Sequence, residues 1–257
     1  MSYKSVTELP GQKASKEQLD MLYTRYKFAS QFCQDKKVLE IACGAGFGLS
    51  LIAEKAKEVI ACDVDEEILN YARKAYRNNK KIKIMKIDAN KKLPFSDKRF
   101  DVIILFEALY YLENTEKTLK EIFRVLKKSG ILLICLPNKN IEGFNPSPLS
   151  KKYFSVPELN KLFSDFGFGE AKIYGSCKIK DNIESKIISL IKIFAIKFNL
   201  IPKTMEGKGI LKRIFFGRLE KIPEQIEDEK YEYLPLIALD NNKINKSYKV
   251  LFAIREK

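Results

Sequence analysis

The feature that most constrains this chain is a regular alternation, from residue 38 onward, of short apolar runs with amphipathic stretches. The runs are VLEIA (38–42), VIACD (59–63), IKIMKI (82–87), VIILF (102–106) and ILLICL (131–136). Most are nearly continuous in hydrophobicity and rich in β-branched residues, as strands buried on both faces of a parallel sheet should be. The stretches between them carry helix starts. Asp65 caps DEEILNYARKAY, where Ile68, Leu69, Ala72 and Ala75 share one face. Asn114 or Thr115 opens TEKTLKEIFRVLKK, with Leu119, Ile122, Val125 and Leu126 turned inward. Ser15 with Gln18 forms a capping box opening a helix to about Cys33, its inward set being Leu19, Leu22, Tyr26 and Ala29 with Phe32 or Cys33. Ser155 with Glu158 makes another, with Pro157 in the first turn. Together these predict an α/β fold: a doubly wound parallel sheet with right-handed crossovers.

Two more strands are predicted, AKIYGS (171–176) and YKVLFAI (248–254). The separation between them is too long for a hairpin loop, so the chain divides into a ligand-binding domain (1–176 plus 246–257) and an inserted unit (177–245). The insertion is basic, and within it IISLIKIFAIKFNLIP is apolar except where Lys192 and Lys197 interrupt. Three readings stay open: a helical cap over the active site, residues 183–202 lying on an anionic membrane with their lysines snorkelling, or an interface with a partner or second copy. The oligomeric state is left open.

Composition removes several chemistries. There is no histidine, which excludes a His base, a Ser-His-Asp or Cys-His nucleophile and every His-containing metal site. The five cysteines (Cys33, Cys43, Cys62, Cys135, Cys177) form no CxxC pair and fit a reduced, cytosolic protein. Nothing near Cys43 would make it a thiolate nucleophile. The polar N-terminal stretch and the lack of a long uncharged apolar run predict a cytoplasmic protein without a membrane span, or one peripheral at the inner membrane face. The net charge of +14 is spread over both halves with no appended RNA-binding module, so nucleic acid is a secondary expectation.

The chemistry sits where the first run ends, in EIACGAGFG (40–48). A glycine-rich strand-to-helix turn lets a ligand approach the backbone, but a dinucleotide fingerprint starting at Gly44 would need Gly or Ala where Leu49 stands. Glu40, just before the loop, would repel a pyrophosphate and suits an ammonium group. Asp63 ends the second run, 19 positions after Gly44, where a carboxylate can accept both hydroxyls of a ribose. Asp88 ends the third, placed for an adenine amino group with the Ala89 backbone alongside. Ribose, adenine and an amino acid without phosphates describe S-adenosylmethionine.

The same segments, VLEIACGAGFG, ACDVDEEIL, IDANKKLPFSDKRFDVIILFEALYYL and RVLKKSGILLICLPN, resemble the class I S-adenosylmethionine-dependent methyltransferase family over residues 23–138. The resemblance implies a Rossmann-like seven-stranded sheet whose last strand, YKVLFAI, runs antiparallel between the fifth and sixth. It implies that Glu40, Gly44 and Gly46 hold the methionine and ribose side, Asp63 the ribose, and Asp88 and Ala89 the adenine. Phe106 would lie beside the sulfonium, and Ala42 and Val64 complete the cofactor set. Two departures stand out: Ala42 where many members have the first loop glycine, and Ser129 in place of a turn glycine. Neither position needs a side-chain contact, so little functional loss is expected.

Transfer from a sulfonium needs an aligned acceptor, not a metal. Without histidine the base must be a carboxylate, Tyr, Lys or solvent, and Glu107, directly after the fourth strand, is the candidate by position, with Tyr110 and Tyr111 forming the acceptor wall. An Asn/Asp-Pro-Pro-aromatic loop and a Pro-Cys pair are both absent, which argues against nucleobase amino groups and base C5 as acceptors. The region after Asn138 resembles the family's subset linked to bacterial surface polysaccharides and glycans, which implies a sugar hydroxyl on a small-molecule or lipid-linked glycan, with Ser150, Lys151, Lys152 and Tyr153 as a cationic lip. The alternatives are an RNA methyltransferase using the basic surface and a non-catalytic S-adenosylmethionine-binding protein.

Overall fold

The structure, a computed structural model, describes residues 3–165, 170–179 and 219–257. Its strands are β1 (Lys13–Ala14), β2 (Lys37–Ile41), β3 (Glu58–Asp63), β4 (Ile82–Lys86), β5 (Phe100–Phe106), β6 (Leu126–Pro137), β7 (Lys172–Lys178), β8 (Glu220–Lys221), β9 (Ile237–Ala238) and β10 (Tyr248–Glu256). Its α-helices are α1 (Lys16–Ser30), α2 (Leu49–Lys55), α3 (Glu66–Tyr76), α4 (Thr115–Val125) and α5 (Val156–Asp165).

The main sheet runs β4-β3-β2-β5-β6-β10-β7-β9. Strands β2 to β6 pair in parallel, and β10 pairs antiparallel with both β6 and β7. The expected seven strands are present, and the sheet has an eighth: β9, which pairs Gly175 with Ile237 and Tyr174 with Ala238 and so covers the open edge of β7. Alternation along the strands splits the core into two layers. Val38, Val59, Val102 and Ile104 pack with Leu22, Tyr26 and Ala29 of α1, Leu49 and Ile52 of α2, and Ile68 and Leu69 of α3. Leu39, Ile41, Ile60, Ile103 and Leu105 pack with Leu119 and Ile122 of α4 and Leu159 and Phe163 of α5. Helices thus cover both faces, which is why the central strands carry almost no polar residue.

The helix starts are built as their sequences require. Both bonds of the Ser15–Gln18 capping box form, Asp65 accepts from the N–H groups of Glu67 and Ile68, and Asn114 accepts from that of Lys117. The ends differ from expectation. Helix α1 stops at Ser30, and α4 stops at Val125 because Leu126 already pairs with Phe100. The register then shifts so that Val102 faces Ile131, and the extra residues form a bulge in which Ser129 takes a left-handed φ of 60°.

Of the expected insertion, residues 219–245 pack on the sheet domain. Strand β8 pairs with β1, Ile222 and Ile226 enter the first core layer, and Asp228 accepts from the Tyr23 hydroxyl at 2.8 Å. Residues 180–218, and with them the 183–202 segment and its cap, membrane and interface readings, lie outside the described residues. Among the described residues, no helix is long and apolar enough to cross a membrane.

Ser129 is exposed, and its left-handed backbone penalises any residue with a Cβ. Ser129→Gly should therefore stabilise the protein by about 1 kcal/mol, read as a higher denaturation midpoint at an unchanged m-value.

Candidate active site

A cleft of about 420 Å³ opens at the carboxyl ends of β2, β3, β4 and β5, where open parallel sheets place their ligands. The loop after β2 contributes Ala42, Cys43, Gly44 and Ala45; β3 ends in Asp63, with Val64 following; β4 leads into Asp88 and Ala89; β5 ends in Phe106 and leads into Glu107, Tyr110 and Tyr111. Ten of the twelve singled-out residues therefore line one cavity. Glu40 and Gly46 do not.

Gly46 acts behind the wall. Its φ is 77°, and a Cβ there would meet Leu49 Cδ1 at 2.9 Å and Ala72 Cβ at 3.0 Å, so the glycine lets the loop sit against α3. Its carbonyl accepts from the Tyr76 hydroxyl at 2.7 Å. Gly48 makes room in the same way for Tyr26, whose ring a Cβ would enter at 1.8 Å. Ala42 occupies left-handed backbone, φ 57°, so the glycine it replaces answered to backbone conformation.

Asp63 is buried and holds the loop. Its Oδ2 accepts from Gly44 N at 3.0 Å and its Oδ1 from Asp65 N at 2.9 Å. Burial pushes this carboxyl up, and those backbone N–H groups oppose the shift. Each oxygen retains a further lone pair, so two hydroxyls can still be accepted. Asp88 is more open and accepts from the backbone N of Asn90 at 3.0 Å. The Ala89 carbonyl accepts from the Thr118 hydroxyl at 3.0 Å, which fixes that corner of the cleft against α4.

Glu40 lies one layer deeper. Its Oε1 accepts from the Tyr26 hydroxyl at 2.7 Å, while its Oε2 is buried with no partner among the described residues. Burial pushes its carboxyl up to about 8, against the Tyr26 hydrogen bond. Cys43, in the loop, is a thiol whose pKa burial raises well above its ordinary value, which does not suit a nucleophile.

The far end of the cleft is set by Glu107, whose φ of 52° is again left-handed. Its Oε2 accepts from the Tyr110 hydroxyl at 2.9 Å, and its Oε1 lies 3.2 Å from Arg25 Nη2. Tyr110 stacks on Tyr153 with centroids 4.4 Å apart, and Tyr111 meets Tyr3 edge-on at 5.5 Å. The backbone N–H groups of Lys151 and Lys152 both donate to the Tyr110 carbonyl, so the expected lip docks beside this wall. Sequence reasoning missed two contributors. The N-terminal segment brings Tyr3, Val6, Thr7 and Glu8 to the cleft, and α1 brings Gln18, Leu22, Arg25 and Tyr26. Only the inward periodicity of α1 hinted at the latter, through Leu22 and Tyr26.

Residues 39–134 match the family described as "Methyltransferase domain". The chain is 31% identical over 156 residues to a Mycobacterium tuberculosis protein named as a probable S-adenosylmethionine-dependent methyltransferase, covering 58% of this chain and 55% of that one. It is 30% identical over 155 residues to a ubiquinone/menaquinone biosynthesis C-methyltransferase of Wigglesworthia glossinidia brevipalpis, covering 56% and 60% respectively. The chain thus spans little more than half the length of these relatives. Its fold matches a crystal structure of an S-adenosylmethionine-dependent methyltransferase from Archaeoglobus fulgidus with a TM-score of 0.55 at 22% identity, covering 95% of both chains. Residues 39–134 are thus similar to a methyltransferase domain, the fold is the one seen in S-adenosylmethionine-dependent methyltransferases, and these similarities indicate S-adenosylmethionine as the cofactor. The residues present fit that molecule: an orphaned buried carboxyl oxygen on Glu40 behind the glycine loop, acids at the ends of β3 and β4, and no Lys or Arg from the glycine loop itself to draw a pyrophosphate.

The buried carboxyl of Glu40 gives a pH prediction. Its ordinary pKa of 4.5 is raised to about 8 on folding, so its proton stabilises the native state fully below about 4.5, and that contribution is lost as pH rises through 8. Relative to Glu40→Gln, the native protein should lose thermal stability steadily between pH 5 and about 8. A melting-temperature difference that stays constant over that range contradicts the placement of Glu40.

Proposed function

We propose that the protein transfers the methyl group of S-adenosylmethionine to a hydroxyl of a small molecule or glycan, as a step in making a surface polysaccharide. The observation that carries this is the carboxylate of Glu107 at the end of β5, directly after Phe106, opening onto the same cleft as Asp63 and Asp88. When bound, S-adenosylmethionine supplies an electrophilic methyl: the C–O bond to the acceptor forms as the C–S bond breaks, and the electron pair stays on sulfur. Glu107 takes the hydroxyl proton, becoming a neutral acid as the acceptor oxygen is alkylated. Asp63 and Asp88 orient the ribose and adenine ends, and the glycine loop lets the backbone approach closely. Tyr110 and Tyr111 exclude water and offer flat faces on which the C–H side of a sugar ring can stack. The exposed Lys151 and Lys152 beside Tyr110 suit a phosphate on a nucleotide-linked or lipid-linked acceptor.

A second reading is methylation of a ring carbon. The relative named as a quinone C-methyltransferase and the aromatic wall of Tyr3, Tyr110, Tyr111 and Tyr153 favour it. The same carboxylate would then remove the ring proton after the C–C bond forms.

The test uses methyl-labelled S-adenosylmethionine with nucleotide-sugar, polyprenyl-linked glycan and quinol acceptors, and identifies the labelled product by NMR as an ether or a ring methyl. Glu107→Gln should lower kcat by about 10²–10⁴-fold while leaving the affinity for S-adenosylmethionine nearly unchanged. Unchanged turnover removes Glu107 from the reaction, and a labelled ring methyl moves the assignment to carbon.

A further inference from the structure

Arg25 belongs to no motif legible in the sequence, yet it lines the cleft from α1. Its side chain is 15% exposed, its Nη2 lies 3.2 Å from Oε1 of Glu107, and its Nε is buried without a hydrogen-bond partner among the described residues. Tyr110 holds the other oxygen of Glu107 at 2.9 Å, and the Glu107 N–H donates to the Cys135 carbonyl at 2.8 Å. Backbone in left-handed space is thus pinned at a residue whose carboxylate is gripped from both sides, a concentration of constraint typical of functional positions.

We propose that Arg25 is a positioning residue, fixing the orientation and charge of the Glu107 carboxylate so that it can accept a proton from the methyl acceptor. The inference rests on the methyl-transfer reading above. Among the described residues, every other group facing Glu107 is neutral or acidic. The Cys135 thiol lies 3.8 Å from Oε1, Tyr110 comes from the turn after β5, Glu8 from the N-terminal segment, and Tyr111 and Tyr153 stand beyond Tyr110. Burial pushes the Glu107 carboxyl up; Arg25 and Tyr110 oppose the shift, and Glu8 adds to it. Without the guanidinium the buried carboxylate loses its counter-charge and holds its proton to higher pH. A lysine at this position restores charge without the planar fork, so it should compensate only in part.

The experiment is a ¹³C NMR titration of the full chain carrying labelled glutamate carboxyls, the Glu107 signal being the one lost in Glu107→Gln. In Arg25→Met its midpoint should rise by about 1–3 pH units over the native protein, with Arg25→Lys between the two. In the methyl-transfer assay the acid limb of kcat should rise by the same amount, while KM for S-adenosylmethionine stays unchanged. Arg25→Gln, which keeps a polar head, replaces Arg25→Met if thermal unfolding shows that the latter does not fold. A midpoint and acid limb unmoved in a folded, uncharged variant overturn the proposal. A midpoint that moves in a protein that methylates no hydroxyl supports the electrostatic role of Arg25 and contradicts the assigned reaction instead.

Discussion

The carboxylate of Asp63 is the interaction on which the site depends. One oxygen takes the N–H of Gly44 and the other that of Asp65. Asp65 in turn caps α3 and accepts from the backbone N of Tyr3 at 2.8 Å. A single acid at a strand end thereby ties the glycine loop, the first turn of α3 and the N-terminal segment into one wall. Hydrogen bonds to a charged group contribute about 1.5–3 kcal/mol each. That is enough to hold a loop with three left-handed positions, Ala42, Gly44 and Gly46, in place before any ligand arrives. The same carboxylate still has lone pairs to offer a ribose, so the device that builds the wall also equips it.

The two ends of the cleft follow different logic. The end proposed for the methyl donor consists of strand termini and backbone, with geometry fixed by sheet register: Glu40 pairs with Ala61 and Ile104 in the neighbouring strands, which places the acids of adjacent strands at graded depths. The end proposed for the acceptor consists of side chains from four separate segments, Tyr3 and Glu8, Arg25, Glu107 to Tyr111, and Tyr153, joined by ring contacts, a hydrogen bond and an ion pair. A fold with this division keeps its donor while its acceptor changes with a few substitutions. Relatives sharing the core but spanning different lengths, one of them named for carbon methylation, fit that division.

That difference also explains what the sequence made legible. Strands β2 to β6 announced themselves because burial on both faces forces unbroken apolar runs, and Asp63 and Asp88 because a strand end next to a glycine loop is a position with few uses. The capping boxes at Ser15 and Ser155 are local chemistry and formed as written. Arg25 and Tyr3 were not legible, since their partners Glu107 and Asp65 lie far along the chain and no periodicity marks such a pair. The depth of Glu40 was not legible for a related reason: strand alternation sets which face it takes, but only the packing of Tyr26 over Gly48 shows that it lies beneath the cleft wall. The early stop of α4 reflects tertiary pairing of Leu126 with Phe100 overriding good helix formers at Lys127 and Lys128. Strand β9 was too short to carry any pattern.

Calorimetric titration of the full chain with S-adenosylmethionine, and separately with NAD, tests the account at its root. Acids graded along the strand ends, with no cationic side chain in the glycine loop, predict one-to-one binding of the sulfonium nucleoside and no heat with the pyrophosphate dinucleotide. Saturable binding of NAD, or no binding of S-adenosylmethionine at millimolar concentration, would contradict it.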